Sequence, residues 1–507
     1  MKRNELKSTQ QIKLGTLASY AGIILNIVMG LLYTPWMIRQ IGQSDYALYT
    51  LATSLITMFT IDFGMSAAVS RFVAKYNAEG DTQAINDFLG LVYKLYTAIS
   101  AIVFFVLIGI FFFIDKIYVS LSPVELERFK AVYLIAGTYS VISFPFVTFN
   151  GILNAYEQFV ELKICEFLNK LITVVLIAGA LLMGGNVYAL VAVNALVGLA
   201  TIVVKFIIIR KNTDIKVNFR YFSKKRLKEV FGYSIWSTVG SVAQNYLINI
   251  TPSILAMVTN SLEVAVFGFA NSIGSYVYTL AMGVDGFFLP KVSRMIADNK
   301  EPGAFLKLMV QVGRFQLYIL GLIVIGFLLV GRDFILLLMG QQYQTAYYCV
   351  VCCLIYSTIC YPQQIANTMV VATNKVKERA LISILAAVVN IALSFALSHY
   401  WGAVGAYISV CTAILVRTLL LNVLYKKKLG LDVLKYFWQC HLSLLPAFGL
   451  AAGLSFAATA WLGSGSWGVF LLKVCIISAI YLVCISLIGF NREEKTIILS
   501  ALQKGRD

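Results

Sequence analysis

Asp62-Phe63-Gly64-Met65-Ser66-Ala67-Ala68-Val69-Ser70-Arg71 has a second version later in the same chain: Asp285-Gly286-Phe287-Phe288-Leu289-Pro290-Lys291-Val292-Ser293-Arg294. Both place an aspartate nine residues before an arginine and close on Val-Ser-Arg. Around this pair the correspondence widens. Thr34-Pro35 returns as Thr251-Pro252, Pro145 as Pro362, Asn150 as Asn367, Glu161 as Glu378 and Gly185 as Gly402, each 217 residues on, with a short insertion before Asp285. Each copy carries six long apolar runs. Six crossings return a chain to its starting side, so the two copies share one orientation in a membrane. The expected relation is a pseudo-twofold axis along the membrane normal, with a substrate path between the halves. This is the plan of a transporter.

Composition agrees. Of 507 residues 59% are hydrophobic and only 13% charged, with a mean hydropathy of +0.81. A soluble chain of this length needs far more polar surface, so the fold class is an all-α integral membrane protein. Fourteen spans are expected. Those of the first half lie near 16–38, 46–68, 89–114, 131–152, 167–184 and 187–209. Those of the second lie near 231–254, 262–288, 310–330, 345–368, 379–399 and 402–424, and two more, near 440–462 and 467–489, stand outside the repeat. The domains follow: a six-helix lobe over 1–209, a basic linker over 210–229, a second six-helix lobe over 230–428, and two extra helices with a tail over 429–507.

Charge sets the orientation. With the N-terminus inside, only Arg39, Lys116, Arg128, Lys130, Arg332 and Lys473 of the 41 basic residues fall in external segments. Such asymmetry puts both termini in the cytoplasm. It also accounts for most of the net charge of +17. Nucleic acid binding is not expected, because the basic residues sit in short loops. The first span reads as an uncleaved signal anchor, being too long for a cleavable signal peptide. Cys349, Cys352 and Cys353 have no His, Asp or Glu close by in sequence, so no metal site and no cofactor are expected; they read as small packing residues. The longest external loop, about 115–130, cannot house a catalytic domain, which argues against an enzyme of glycan assembly.

Polar residues at helical spacing mark candidate cavity walls. Ser237, Ser241, Asn245 and Asn249 recur every four residues in span seven. In span eight Asn271, Ser275, Tyr278, Met282 and Asp285 share one face. The competing reading is helix–helix packing, since small and polar residues also join membrane helices. Charges inside spans are sharper signals, each costing about 2.5–3.5 kcal/mol at mid-membrane. Lys94, Arg314 and Arg417 are of this kind and are expected to form a cationic, substrate-binding surface; the alternative is snorkelling to the cytoplasmic interface. Asp62 and Asp285, with Arg71 and Arg294, have two readings: coupling to H+ or Na+, or an ion pair that fixes a gate. Pro145 and Pro362 are candidate hinges, each removing a backbone hydrogen bond at the same point of its repeat.

The run Asp62-Phe63-Gly64-Met65-Ser66-Ala67-Ala68-Val69-Ser70-Arg71-Phe72-Val73 resembles the end of the second helix in polysaccharide flippases. Leu227-Lys228-Glu229-Val230-Phe231-Gly232-Tyr233-Ser234 is similar to the start of helix seven in the same proteins. These are the O-antigen and exopolysaccharide repeat-unit branch of the superfamily that also holds multidrug and toxic-compound extruders. The resemblance implies flipping of a polyprenyl-diphosphate-linked oligosaccharide to the external leaflet of the bacterial inner membrane by alternating access. Its implied partners are that lipid-linked oligosaccharide, membrane lipids and the polysaccharide polymerase machinery. A polar, cationic cavity suits this cargo. Each unpaired hydroxyl costs about 2–7 kcal/mol to desolvate, and arginine offers phosphate a bidentate fork. The alternatives are a drug:cation antiporter on the same fold, which would want acidic walls, and a lipid II flippase. The latter resemblance calls for cations deep in span one, where this chain has only Asn26.

Overall fold

The computed structural model describes residues 2–59, 65–282, 288–491 and 494–496. These are helical with short connections, and among them there is no strand. The helices are α1 (Lys2–Phe59), α2 (Met65–Glu79), α3 (Thr82–Ile117), α4 (Pro123–Ser143), α5 (Thr148–Ala155), α6 (Phe159–Leu182), α7 (Val187–Asn212), α8 (Lys224–Asn249) and α9 (Thr251–Val258). They continue as α10 (Ser261–Met282), α11 (Phe288–Ala297), α12 (Pro302–Met339), α13 (Ala346–Cys360), α14 (Gln364–Ala372), α15 (Val376–Leu429), α16 (Val433–Cys440), α17 (Leu445–Thr459) and α18 (Trp467–Cys484). Ten stretches among the described residues are long and apolar enough to cross a membrane.

Two helices are too long for one crossing. The 54 residues of α15 would reach about 80 Å if straight, against about 30 Å of hydrocarbon. Gly402 breaks it with a φ of 54°, a conformation that favours glycine. Its side-chain position is filled by the Glu263 carboxylate, which accepts a hydrogen bond from the Ala403 amide at 2.7 Å. Gly42, with a φ of 82°, divides α1 in the same way. Splitting α1 and α15 at these glycines gives an arrangement compatible with fourteen spans.

Sequence dictates the other ends locally. Asp81 accepts from the Ala84 amide at 2.8 Å to open α3. Ser122 and Glu125 form a reciprocal capping box around Pro123 at α4. Asp432 and Ser466 cap α16 and α18 through their side chains. Each device satisfies a backbone N–H that the helix leaves unpaired. Between such ends the outward faces are apolar. Ile102, Phe105, Phe112 and Phe113 of α3 are exposed, as a helix facing lipid requires.

The internal repeat is visible in backbone geometry. Pro145 lies in a 3-10 turn, Phe144–Val147, between α4 and α5, and Pro362 lies in another, Tyr361–Gln363, between α13 and α14. The short helices that follow end alike. Glu157 and Asn374, 217 residues apart, both have a φ of 56°. The Gln158 amide donates to the Leu153 carbonyl at 2.9 Å, and the Lys375 amide donates to that of Val370 at 2.9 Å. The Glu157 and Asn374 amides donate to Asn154 and Val371 carbonyls, both at 3.1 Å. Each is a Schellman termination, and the residues correspond one by one.

The chain divides into two compact units: Met1–Ser272 with Val376–Ala413, and Ile273–Lys375 with Ile414–Asp507. Helices α10 and α15 contribute to both. In the first unit a core of Val69, Phe88, Tyr96, Phe144, Leu153 and Ile215 joins α2, α3 and α5 to the segment after α7. In the second, Ala447 and Ala451 of α17 are wholly buried, with Ile325, Ile477 and Tyr481 around them. The small side chains let helices approach closely, which is how membrane helices associate.

Candidate functional site

In the first unit, the segment 213–223 that leaves α7 is non-helical and docks on α3. The Asn218 amide donates to the Asn86 carbonyl at 3.0 Å, and its side chain donates to Asp87 at 2.7 Å. Gly90 makes the approach feasible, since a Cβ there would collide with the Asn218 carbonyl. Lys94 lies one turn further along α3. Its Nζ donates to the Tyr221 carbonyl at 3.1 Å and stands 6.0 Å from the Phe222 ring centre.

The amide line on α8 is real as a hydrogen-bonded chain. Asn245 donates to the Ser241 carbonyl at 3.2 Å, and Asn249 donates to Asn245 Oδ1 at 3.3 Å. Both are half-buried. Beside them is a residue that sequence reading passed over. Asn390 of α15 is 0% exposed and donates to the Leu247 carbonyl at 2.8 Å and Thr251 Oγ1 at 3.0 Å. It bridges the break between α8 and α9. The available signal was the four-residue spacing of Asn390, Ser394 and Ser398 in one span. On α10, Asn271 is half-buried and Ser275 exposed.

Asp62 and Asp285 lie outside the described residues. Their partners by sequence, Arg71 on α2 and Arg294 on α11, are both exposed. The prolines Pro145 and Pro362 stand at the matched 3-10 breaks. The Pro145 carbonyl accepts from Thr148 Oγ1 at 3.1 Å, and that of Pro362 accepts from the buried Tyr436 hydroxyl at 2.9 Å.

The second unit holds the densest polar cluster. Arg314 of α12 is 5% exposed and Glu494 2%. Arg314 Nε donates to Glu494 Oε1 at 2.7 Å. Nη1 donates to the Gln439 carbonyl at 3.1 Å and Ser443 Oγ at 2.6 Å. Nη2 donates to the Gly489 carbonyl at 2.6 Å and to the Tyr318 hydroxyl at 2.9 Å, with Glu494 Oε2 at 3.2 Å. All five N–H groups are engaged. Glu494 also accepts from the Tyr318 hydroxyl and the Asn491 amide, both at 2.8 Å. The partner that neutralises Arg314 is 180 residues away in sequence, which is why sequence reading missed it. Beside this pair opens a cavity of about 630 Å³, with Lys307, Gln311, Lys435, Trp438 and Asn491 among its walls. Arg417, on α15, is half-buried; its neighbour Thr418 pairs with Cys360 Sγ at 2.9 Å.

Cys349 and Cys353 are buried in α13, and Gly274 of α10 packs against Cys353 so closely that a Cβ would sit 2.8 Å from its sulfur. Among the described residues, no three His, Cys, Asp or Glu side chains converge as metal ligands.

With this geometry in hand, the comparisons are decisive for the family. Residues 12–284 match the family described as polysaccharide biosynthesis protein. The chain belongs to that family. No curated protein sequence matches it. Among solved structures, the lipid II flippase MurJ in an inward closed conformation is similar with a TM-score of 0.69 at 13% identity, over 95% of this chain and 98% of that one. An inward-facing multidrug resistance MATE transporter of the MOP superfamily gives 0.63 at 14% identity, over 80% and 99%. A MOP superfamily transporter from Pyrococcus furiosus gives 0.59 at 13% identity, over 84% and 96%. At such identities the likeness is one of fold. This is a multi-pass membrane protein of the polysaccharide biosynthesis family, with the fold that these transporters share.

Proposed function

We propose that this protein flips a polyprenyl-diphosphate-linked oligosaccharide from the cytoplasmic to the external leaflet of the bacterial inner membrane, by alternating access, with both termini in the cytoplasm. The observation that carries the proposal is the family match over residues 12–284. A fold shared with a lipid II flippase supports it, because that protein's named cargo is also lipid-borne. In this reading the sugars need a wet polar path, since unpaired hydroxyls cannot enter hydrocarbon. Asn245, Asn249, Asn271 and Ser275 are assigned to its walls. Lys94, Arg314 and Arg417 are assigned to the diphosphate, with Arg314 reaching it only by exchanging Glu494 for phosphate. Pro145 and Pro362 serve as hinges, because a 3-10 break carries fewer helical bonds to bend. Asp62 and Asp285, with Arg71 and Arg294, gate the path or couple it to H+ or Na+. Polymerase machinery would receive the product.

The test is the leaflet location of lipid-linked oligosaccharide in cells with and without the protein. Accumulation on the cytoplasmic leaflet after deletion, with loss of surface polysaccharide, is the expected result, and mass analysis of the accumulated lipid then names the sugars. Normal distribution and normal surface glycan would sink the proposal and favour a drug:cation antiporter, which saturable efflux of cationic dyes would then reveal. Arg417→Ala is expected to lower transport; if it and Arg314→Ala both transported at wild-type rates, the cationic site would be wrongly placed.

A further inference from the structure

Helix α6 has two accessible faces. One is apolar: Ile164, Leu168, Ile172 and Leu176 are exposed, as contact with lipid requires. The other carries Lys163, Glu166 and Lys170, of which the last two are exposed. At about 100° per residue, Lys170 stands about 160° around the helix from Leu168. Further along this second face Val174, Ile177 and Leu181 are buried, so the opening ends at Lys170. A crossing of about 20 residues that finishes at Leu182 begins near Lys163, which puts Lys170 about 10 Å inside the span. The result is a recess on the side of α6 away from lipid. The second half of the repeat closes the same face. Lys163, Glu166 and Lys170 become Ala380, Ser383 and Ala387 of α15, 217 residues on, and all three are buried. Helix α8 covers them: a Cβ on Gly240 would lie 3.5 Å from that of Ala380. The lipid faces meanwhile agree, Ile164 and Leu168 answering to the exposed Leu381 and Leu385. The recess therefore belongs to the first half and is no general feature of the repeat. Within it Lys163 is neutralised by Glu166 at 2.8 Å. Among the described residues no hydrogen bond or ion pair engages Lys170.

We propose that Lys170 binds the diphosphate of the lipid-linked cargo as it leaves the cytoplasmic leaflet, an assignment that rests on the flippase reading above. An ammonium is a compact point charge with three donors, suited to phosphate oxygens. A phospholipid that stays in the bilayer keeps its headgroup on the lipid face, across the helix from this lysine. The anion that reaches Lys170 is one carried out of the lipid and into the recess. Lys94 and Arg314 already donate to main-chain carbonyls, whereas Lys170 has no internal bond to break first.

The experiment acylates the full-length protein in detergent with a water-soluble N-hydroxysuccinimide ester and reads Lys170 by peptide mass spectrometry. Farnesyl diphosphate, phosphatidylglycerol or inorganic pyrophosphate is added at equal concentration. Farnesyl diphosphate is expected to slow the modification of Lys170, with the exposed Lys495 as the internal reference. Equal protection by phosphatidylglycerol would assign the lysine to lipid headgroups in general, equal protection by pyrophosphate to a soluble anion, and either would overturn the proposal. In a parallel titration Lys170→Gln is expected to bind farnesyl diphosphate about five-fold more weakly, the weight of one basic residue near an anionic lipid. Lys170→Arg is expected to keep the affinity, because it keeps the charge. Equal affinity of wild type and Lys170→Gln would overturn the assignment and leave the flippase reading standing. Absence of binding to wild type would overturn it too, and the leaflet assay above then decides whether the flippase reading falls with it.

Discussion

Removing Glu494 leaves Arg314 charged with no counter-ion, at a position 5% exposed. The carboxylate accepts from Arg314 Nε and Nη2, from Tyr318 and from the Asn491 amide, at 2.7–3.2 Å. Breaking a buried pair of this kind from one side costs about 3–5 kcal/mol, because the remaining charge is unpaired. Glu494→Ala should therefore melt far below wild type, as the fraction of monodisperse protein after heating in detergent. Glu494→Gln keeps the shape but turns an NH2 group toward donors, so it should fall between. Replacing both partners with apolar residues, Arg314→Met with Glu494→Leu, should recover most of the loss, since a buried pair contributes little net stability over a well-packed apolar one. Heating of a membrane protein is irreversible, so the comparison holds under one heating regime only. Lys495→Ala, an exposed neighbour, supplies the reference. If Glu494→Ala melted with Lys495→Ala, the buried-pair argument would fail.

Gly402→Ala puts a Cβ on a φ of 54° and into the Glu263 carboxylate, a strain of about 1–3 kcal/mol that should lower the melting temperature by the same assay. Asn390→Leu strips the donor from the Leu247 carbonyl; a loss of about 0.6–1.7 kcal/mol is expected, and an unchanged melt would show that carbonyl to be satisfied otherwise. Gly90→Val should lift the segment 213–223 from α3, seen as faster limited proteolysis there while the rest of the chain stays resistant. Pro145→Ala with Pro362→Ala should slow transport and leave melting unchanged; wild-type rates would dismiss both prolines as hinges.

The parts of the fold legible in sequence were those written in periodicity. Apolar runs gave the helices, and the 217-residue offset marked both Pro145 and Pro362, which prove to share a 3-10 break and a Schellman end. What sequence could not carry was contact between distant residues. Arg314 read as a lone cation in span nine because nothing within several turns could neutralise it; Glu494 lies in a stretch that reads as a polar tail. Asn390 was hidden differently: its four-residue spacing with Ser394 and Ser398 reads as packing between helices and does not show that the amide bridges the break between α8 and α9. The glycine turn at Gly402 was visible as a repeat residue, but not that Glu263 fills the space a side chain would take.

Lys94 and Arg314 illustrate why a charge in a span is an ambiguous signal. Each sits early in the third helix of its half, and each donates to a main-chain carbonyl just beyond the sixth: Lys94 to Tyr221, Arg314 to Gln439. Adding 217 to Tyr221 gives Trp438, one residue from Gln439, and adding it to Lys94 gives Gln311, three residues from Arg314, so the two clasps lie at neighbouring points of the repeat without matching residue by residue. The first is modest, because an ammonium has few donors and a flexible stem that leaves the rest to water. The second is buried, and a guanidinium has five fixed donors to satisfy. Those donors are met by Ser443, Gly489 and Glu494, which the first half has no means to supply, because they come from the segments flanking α17 and α18. The segments flanking α17 and α18 are thus part of what makes a buried arginine tolerable in α12. Any account of phosphate binding there must first displace the carboxylate that holds it.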